Sequence, residues 1–202
     1  DIFYFGSPVD NGVHALDAAT GARKWSFFTE GPVRLAPMVD GGRVYAGSDD
    51  GFVYCLDARS GTRIWSAWPM PGTTRILGAG RVMSSWPVRT SVMVDKDVAY
   101  CGAGLFPAQG TVVVALDAKT GKQAWRNAQA KKKYNVTLAP SGYLLASAEQ
   151  VYVPNGRTVP LTYARSDGAL RGSMQNSYDI VAGKGLVSGD YGVLVDDIFY
   201  LG

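Results

Sequence analysis

The sequence predicts an all-β chain of repeated short strands, and three observations carry that prediction. An eleven-residue pattern runs from Ala115 through Asp117, Thr120 and Gly121 to Trp125. It occurs twice upstream, from Ala15 through Asp17, Thr20 and Gly21 to Trp25, and from Cys55 through Asp57, Ser60 and Gly61 to Trp65. A looser fourth copy near Ser166-Asp167-Gly168 keeps the glycine and loses the tryptophan. The 25 glycines and 11 tyrosines among 202 residues suit many strands joined by tight turns. Finally, Asp1–Gly6 recurs as Asp197–Gly202 with five of six positions identical at an offset of 196, which spaces four repeat periods at about 49 residues each.

Each part of the pattern has a physical task. Val13-His14-Ala15-Leu16, Val53-Tyr54-Cys55-Leu56 and Val113-Val114-Ala115-Leu116 are β-prone and read as a strand entering a turn. The aspartate accepts hydrogen bonds from backbone N–H groups a few residues on, and the glycine supplies a positive φ. The tryptophan falls on the next strand, where its bulk fills the gap between neighbouring sheets.

The pattern A-x-D-x-x-T-G-x-x-x-W resembles the tryptophan-docking motif of the PQQ-like β-propellers, named after the quinoprotein alcohol dehydrogenases. The resemblance implies an all-β β-propeller of four-stranded antiparallel blades, strand A lining a central channel, strand D outermost and the motif straddling the C-to-D turn. Asp17, Gly21, Trp25, Asp57, Gly61, Trp65, Asp117, Gly121 and Trp125 are then the structural docking residues. The motif specifies fold better than activity.

Taken in order, the expected blades are 1–31 (partial), 32–85, 86–133, 134–177 and 178–202 (partial), a single propeller segment. Asp1–Gly6 and Asp197–Gly202 both read as strand B. A closed ring supplies each strand once, so the chain is expected to be part of a larger ring of about seven or eight blades. Pro32–Gly47 and Pro87–Gly102 share eight of sixteen positions, which sets strands A and B at Pro32–Val39 and Arg43–Gly47, then Pro87–Val94 and Val98–Gly102. In the fourth blade strand A is expected at Val136–Ala139, strand B at Tyr143–Ser147 and strand C at Val159–Ala164. The last blade begins near Tyr178.

The spacing is uneven in a directed way. The excess length falls in Pro69–Ser85, a D-to-A connection, and in Ala103–Gly110, a B-to-C connection, which leave an up-and-down blade on the same face. The Lys131-Lys132-Lys133 run lies in another D-to-A connection, reading as a solvated loop or a contact for an acidic surface. Elaborated loops on a rigid scaffold are where binding resides.

Composition bounds the function. A net charge of +3 demands no nucleic-acid partner, and no run of 18 apolar residues suggests a transmembrane segment. Cys55 and Cys101 are the only cysteines, outside any C-x-x-C arrangement, and read as small buried hydrophobes with a disulfide between them left open. His14, the single histidine, aligns with Tyr54 and Val114 and reads as structural. No metal site is expected.

Arg34 and Arg89 start the innermost strand of adjacent blades. Together they hold an anionic ligand, or each pairs with a neighbouring aspartate or lines a solvated funnel. Trp86 offers an aromatic floor to a planar ligand, as a tryptophan does beside the quinone in the dehydrogenases resembled here, or packs on the loop at 69–85. Those dehydrogenases also carry adjacent cysteines over the quinone and acidic and amide calcium ligands, and no adjacent cysteines occur here. The expected function is therefore a non-catalytic binding or scaffold module with a protein partner, extracytoplasmic by resemblance (periplasmic or cell-surface) and without a cofactor in this segment. The alternative is a portion of a quinoprotein dehydrogenase that uses PQQ and calcium, its catalytic residues lying in other blades.

Overall fold

The computed structural model describes residues 1–78, 80–105, 110–128, 139–155, 158–173, 192–195 and 198–201, and they are all-β with no helix among them. Blade 1 has three strands, β1 (Ile2–Ser7), β2 (Gly12–Asp17) and β3 (Arg23–Phe28). Blade 2 is an antiparallel sheet of β4 (Met38–Asp40), β5 (Arg43–Gly47), β6 (Val53–Asp57) and β7 (Arg63–Ala67). A separate hairpin follows, β8 (Arg75–Gly78) with β9 (Arg81–Ser84). Blade 3 comprises β10 (Met93–Asp95), β11 (Val98–Ala103), β12 (Val112–Asp117) and β13 (Gln123–Asn127). Blade 4 comprises β14 (Leu145–Ala146), β15 (Gln150–Asn155), β16 (Thr158–Ala164) and β17 (Leu170–Ser173), and β18 (Gly192–Val195) pairs with β19 (Ile198–Leu201) beyond it.

Two elements depart from the sequence expectation. The innermost strands are far shorter than Pro32–Val39 and Pro87–Val94, because only β4 and β10 form ladders. The residues before them are spent on single bridges and on contacts to the preceding blade, such as Val88 N–H to the Ser48 carbonyl at 3.1 Å. In blade 4 the expected B strand at Tyr143–Ser147 is strand A, and strand B is β15. Pro154 disguised β15, since proline in a run reads as a strand breaker. Of the expected strand at Val136–Ala139, residues 136–138 lie outside the described residues, as do Lys131-Lys132-Lys133 and the stretch at 178–191.

Blades stack face to face, and period-2 alternation decides which core each residue enters. In β6, Tyr54 and Leu56 pack towards blade 1 with Val13, Ala15 and Val33, while Val53 and Cys55 pack towards blade 3 with Val112, Val114 and Leu116. A third core joins Val113 and Ala115 of blade 3 to Val151, Val153, Leu161 and Tyr163 of blade 4. Burying branched aliphatics on both faces of the central sheets is the main favourable term in the fold.

The turns are built alike. Asp17 Oδ1 accepts from the N–H groups of Ala19 and Thr20, both at 3.1 Å, and Asp57 and Asp117 cap their turns in the same way. The following glycines, Gly21, Gly61 and Gly121, sit at φ of 71°, 72° and 73°. Beyond each turn the C-to-D ladder skips one residue, between Ala15 and Leu16, Cys55 and Leu56, and Ala115 and Leu116. Such a bulge re-aims the side chain beside it, here the tryptophan.

Each indole then crosses to the next blade. Trp25 Nε1 donates to the Ala58 carbonyl at 3.0 Å, Trp65 Nε1 to that of Ala118 at 3.1 Å, and Trp125 Nε1 to that of Arg165 at 2.8 Å. The rings lie over Gly61, Gly121 and Gly168, where an added Cβ would fall 2.3–2.7 Å from the indole. A tyrosine of strand B braces each ring: Tyr4 to Trp25 at 5.8 Å, Tyr45 to Trp65 at 6.0 Å and Tyr100 to Trp125 at 5.9 Å between centroids. The strand C residue between the two rings is Ala15, Cys55 or Ala115, small enough to admit both. In blade 4 the tryptophan position is Gly172. Cys55 and Cys101 are free buried thiols, and burial pushes the Cys101 thiol up to about 12.

Two outcomes follow. Trp125→Ala should lower the free energy of urea unfolding by about 3–5 kcal/mol, whereas a loss below about 1 kcal/mol would show that the ring contributes no burial. The Lys24 ammonium and the N–H groups of Thr20 and Ala19 hold the Asp17 carboxyl down at about 2. Asp17 therefore adds stability above the ordinary aspartate value, and that contribution disappears as pH falls through about 2. A carboxyl carbon NMR titration of Asp17 checks this, and a midpoint near about 4 would contradict it.

Candidate functional site

The site grows from the loop between β5 and β6. After Gly47 the chain turns inward through Ser48-Asp49-Asp50-Gly51, and both aspartates are buried. Asp50 is satisfied locally, accepting from Tyr54 Oη at 2.8 Å and from the N–H groups of Phe52 at 2.8 Å and Glu30 at 3.0 Å. Asp49 is pinned by its backbone, donating N–H to the Pro32 carbonyl at 2.9 Å and accepting from Ser84 N–H at 2.9 Å. Its side chain points at the two arginines.

Arg34 Nε donates to Asp49 Oδ2 at 2.8 Å, and an Arg89 terminal nitrogen donates to the same oxygen at 3.2 Å. Arg89 Nε lies 2.9 Å from Oδ1 as an ion pair without hydrogen-bond alignment. Burial pushes the Asp49 carboxyl above the usual aspartate range, against the opposing pull of Arg89 and Arg34. Burial likewise pulls Arg89 down. Two guanidiniums share one carboxylate, so the cluster carries an excess positive charge. Arg34 remains 39% exposed and Arg89 23%, which leaves both able to meet solvent or a ligand.

The arginines border a cavity of about 350 Å³ whose other walls include Leu35, Leu105, Pro140 and Tyr143. Blades 2, 3 and 4 all contribute to it. Close approach of the blades here depends on Gly47 and Gly102, where a Cβ would lie 2.3 Å from Val88 and 2.7 Å from Pro140.

Trp86 stands apart from this cavity. Its ring packs on Gly72, where a Cβ would fall 2.9 Å away, and its Nε1 faces Gly110. The structure therefore brings Arg34 and Arg89 together and places Trp86 against the loop at 69–85. The hairpin in that loop reaches back to blade 1, with Arg81 donating to the Pro8 carbonyl at 2.8 Å and to Asn11 Oδ1 at 2.9 Å. Asp49 was missed as a site residue. The adjacent pair Asp49-Asp50 after a strand B glycine was the available signal, since two equivalent arginines in neighbouring blades call for a counter-charge.

His14 lies on blade 1, with Nδ1 2.8 Å from Ser26 Oγ and Nε2 3.2 Å from Asp10 Oδ1. Among the described residues no group of three or more His, Cys, Asp or Glu gathers as a metal site would require. The Asp49 carboxylate behind the cavity's two arginines is engaged by both guanidiniums.

Antiparallel four-stranded sheets that stack in sequence and converge on short inner strands define a β-propeller segment. Comparison with known proteins agrees. Residues 3–83 match the PQQ_2 family, described as outer membrane protein assembly factor BamB. The dehydrogenase subunit of a quinone alcohol dehydrogenase from Gluconobacter oxydans (strain 621H) is 35% identical over 125 residues, 55% of this chain and 16% of that protein. The solved quinohemoprotein alcohol dehydrogenase ADHIIG from Pseudomonas putida HK5 superposes with a TM-score of 0.67 at 17% identity, over 99% of this chain and 36% of that one. BamB from Moraxella catarrhalis gives 0.60 at 18% identity, over 85% and 45%. Residues 3–83 thus carry PQQ-like repeats. The chain spans only 16–21% of the length of the first curated relatives it matches.

Removing one partner from the buried cluster should be costly. Asp49→Asn leaves two guanidiniums facing each other, and Arg89→Met removes the more buried of them. Each should destabilise the fold by roughly 3–5 kcal/mol in urea unfolding, and changes below about 1 kcal/mol would show the pair to be solvent-screened.

Proposed function

We propose that the chain is a non-catalytic binding and scaffold module within a larger PQQ-like propeller, acting outside the cytoplasm, and that its elaborated loop face makes the contacts. The observation that carries this reading is the Arg34–Asp49–Arg89 cluster, a half-neutralised arginine pair at the edge of a cavity with apolar walls. Such a pair accepts a carboxylate without dismantling the fold, because Asp49 already holds the guanidiniums in place. The ligand is a small carboxylate or an acidic side chain of a protein partner. Trp86 stiffens the adjoining loop, and the hairpin β8–β9 extends the same surface. The family description naming an outer membrane assembly factor supports the extracytoplasmic setting.

A second reading is favoured by the relatives. Their names are those of quinone-dependent alcohol dehydrogenases, which makes this chain a portion of such an enzyme with its reacting groups in other blades. In that case PQQ and calcium would be held elsewhere, and these blades would supply shape and support.

Replacing both arginines would strand the Asp49 carboxylate, so the informative variant is Arg34→Gln, which leaves Arg89 in place. Benzoate serves as the probe in calorimetric titration. Binding that weakens at least tenfold in Arg34→Gln and falls with added salt supports the anion site. Heat absent from both proteins, or identical in both, overturns it. Dye-linked alcohol oxidation by the native polypeptide after addition of PQQ and calcium would favour the second reading.

A further inference from the structure

The Asp49 carboxylate has almost no contact with water, its side chain being 1% exposed. The charges that act on it are those of Arg89 and Arg34. The other groups packed around it face elsewhere. Asp50 turns to Tyr54 Oη and to the N–H groups of Phe52 and Glu30, and the Glu30 carboxylate pairs at the surface with Arg75 at 2.7 Å. Ser84 of the hairpin meets Asp49 through its backbone N–H. From blade 4, Tyr143 is the titratable residue among the described residues that line the cavity.

The two arginines hold this carboxylate unequally. Arg34, the more exposed of them, is aligned on Oδ2, whereas Arg89 Nε lies beside Oδ1 without alignment, so Oδ1 has no hydrogen-bond donor on it. A carboxylate entering from the cavity meets Arg34 first. It draws on a guanidinium that Asp49 was using and sets a second negative charge beyond the arginines. Both effects favour the neutral form of Asp49, and a buried carboxylate cannot recover the loss from water. Burial already pushes this carboxyl above the usual aspartate range.

We propose that anion capture at this site is coupled to proton uptake: a carboxylate ligand entering against Arg34 is taken in together with one proton from solvent, which Asp49 accepts on Oδ1. The charge then balances as before, two guanidiniums against one carboxylate, with the ligand in the role that Asp49 gives up. The inference rests on the reading of the arginine cluster as an anion site and adds its control by pH. Asp49 keeps its proton to higher pH with the ligand bound than without it. Affinity therefore rises as pH falls through the interval between those two values, and is level above the upper one.

The probe is benzoate, titrated calorimetrically into the full chain between about pH 6 and about pH 8, where it stays ionised, at fixed salt and in two buffers of different ionisation heat. The expected result is binding about tenfold tighter at the acid end, with net proton uptake read from the buffer dependence. Asp49→Asn has no proton to accept there and should bind benzoate without dependence on pH. In the native chain, carboxyl carbon NMR reads the same event even where that variant fails to fold: benzoate should shift the Asp49 resonance to its protonated position at the acid end. Equal affinity across the range with no proton taken up, or an Asp49 carboxyl that stays ionised in the complex, overturns the coupling and leaves the anion site standing. A pH dependence that persists in Asp49→Asn and disappears in His14→Gln places the proton on the single histidine and overturns it too. Heat absent at every pH overturns the anion site and the coupling with it.

Discussion

The interaction on which this fold depends is the indole of one blade lying across the backbone of the next. A sheet on its own has no reason to stand at a particular angle to its neighbour, since apolar faces slide. The tryptophan removes that freedom by combining a large buried area with one directional bond, from Nε1 to a turn carbonyl. The turn must then be flat beneath the ring, which requires glycine, and in blades 1 to 3 an aspartate cap holds it rigid, whereas blade 4 has Ala164 in that place. One contact therefore fixes three residue types at fixed spacing. Tyr45 Oη shares the Ala118 carbonyl with Trp65, at 3.1 Å, so the brace and the ring converge on one acceptor.

The same requirement explains what was legible in the sequence. Wherever aspartate, glycine and tryptophan keep their spacing, strands C and D are readable to within a residue or two, because local turn chemistry sets them. The inner strands were poorly legible: Pro32–Val39 and Pro87–Val94 look like strands, yet their first residues serve the neighbouring blade, and nothing local records that. Blade 4 was misread by one strand since two cues failed together. Gly172 stands where a tryptophan would mark strand D, and Pro154 stands where strand B otherwise ends on glycine. The tyrosine preceding that position, Tyr4, Tyr45, Tyr100 and Tyr152, was the cue that survives in all four blades.

The arginine cluster was half legible. Equivalent positions in adjacent blades placed Arg34 and Arg89 side by side correctly, because the repeat itself transfers geometry. Asp49 breaks the repeat, with Gly104 in the corresponding loop of blade 3, and so escaped a reading built on similarity. Trp86 was left with two readings, a floor for a planar ligand or a ring packed on the loop at 69–85, and Gly72 of that loop provides a close-fitting bed for it. A small residue far from an aromatic in sequence carries no sign that the two will meet.

The bond from indole to turn carbonyl also has a sense of direction. Blades 1 to 3 give from their outermost strands and blades 2 to 4 accept at their C-to-D corners, never the reverse, so neighbouring sheets are related head to tail. Contacts of that heterologous kind either close into a ring or continue without limit. The inner strands β4, β10 and β14 are shorter than the outer strands β7, β13 and β17, and a taper repeated in one sense favours closure. That places the burden of preventing open-ended stacking on the narrow hub, not on the broad aromatic faces that give the assembly its strength.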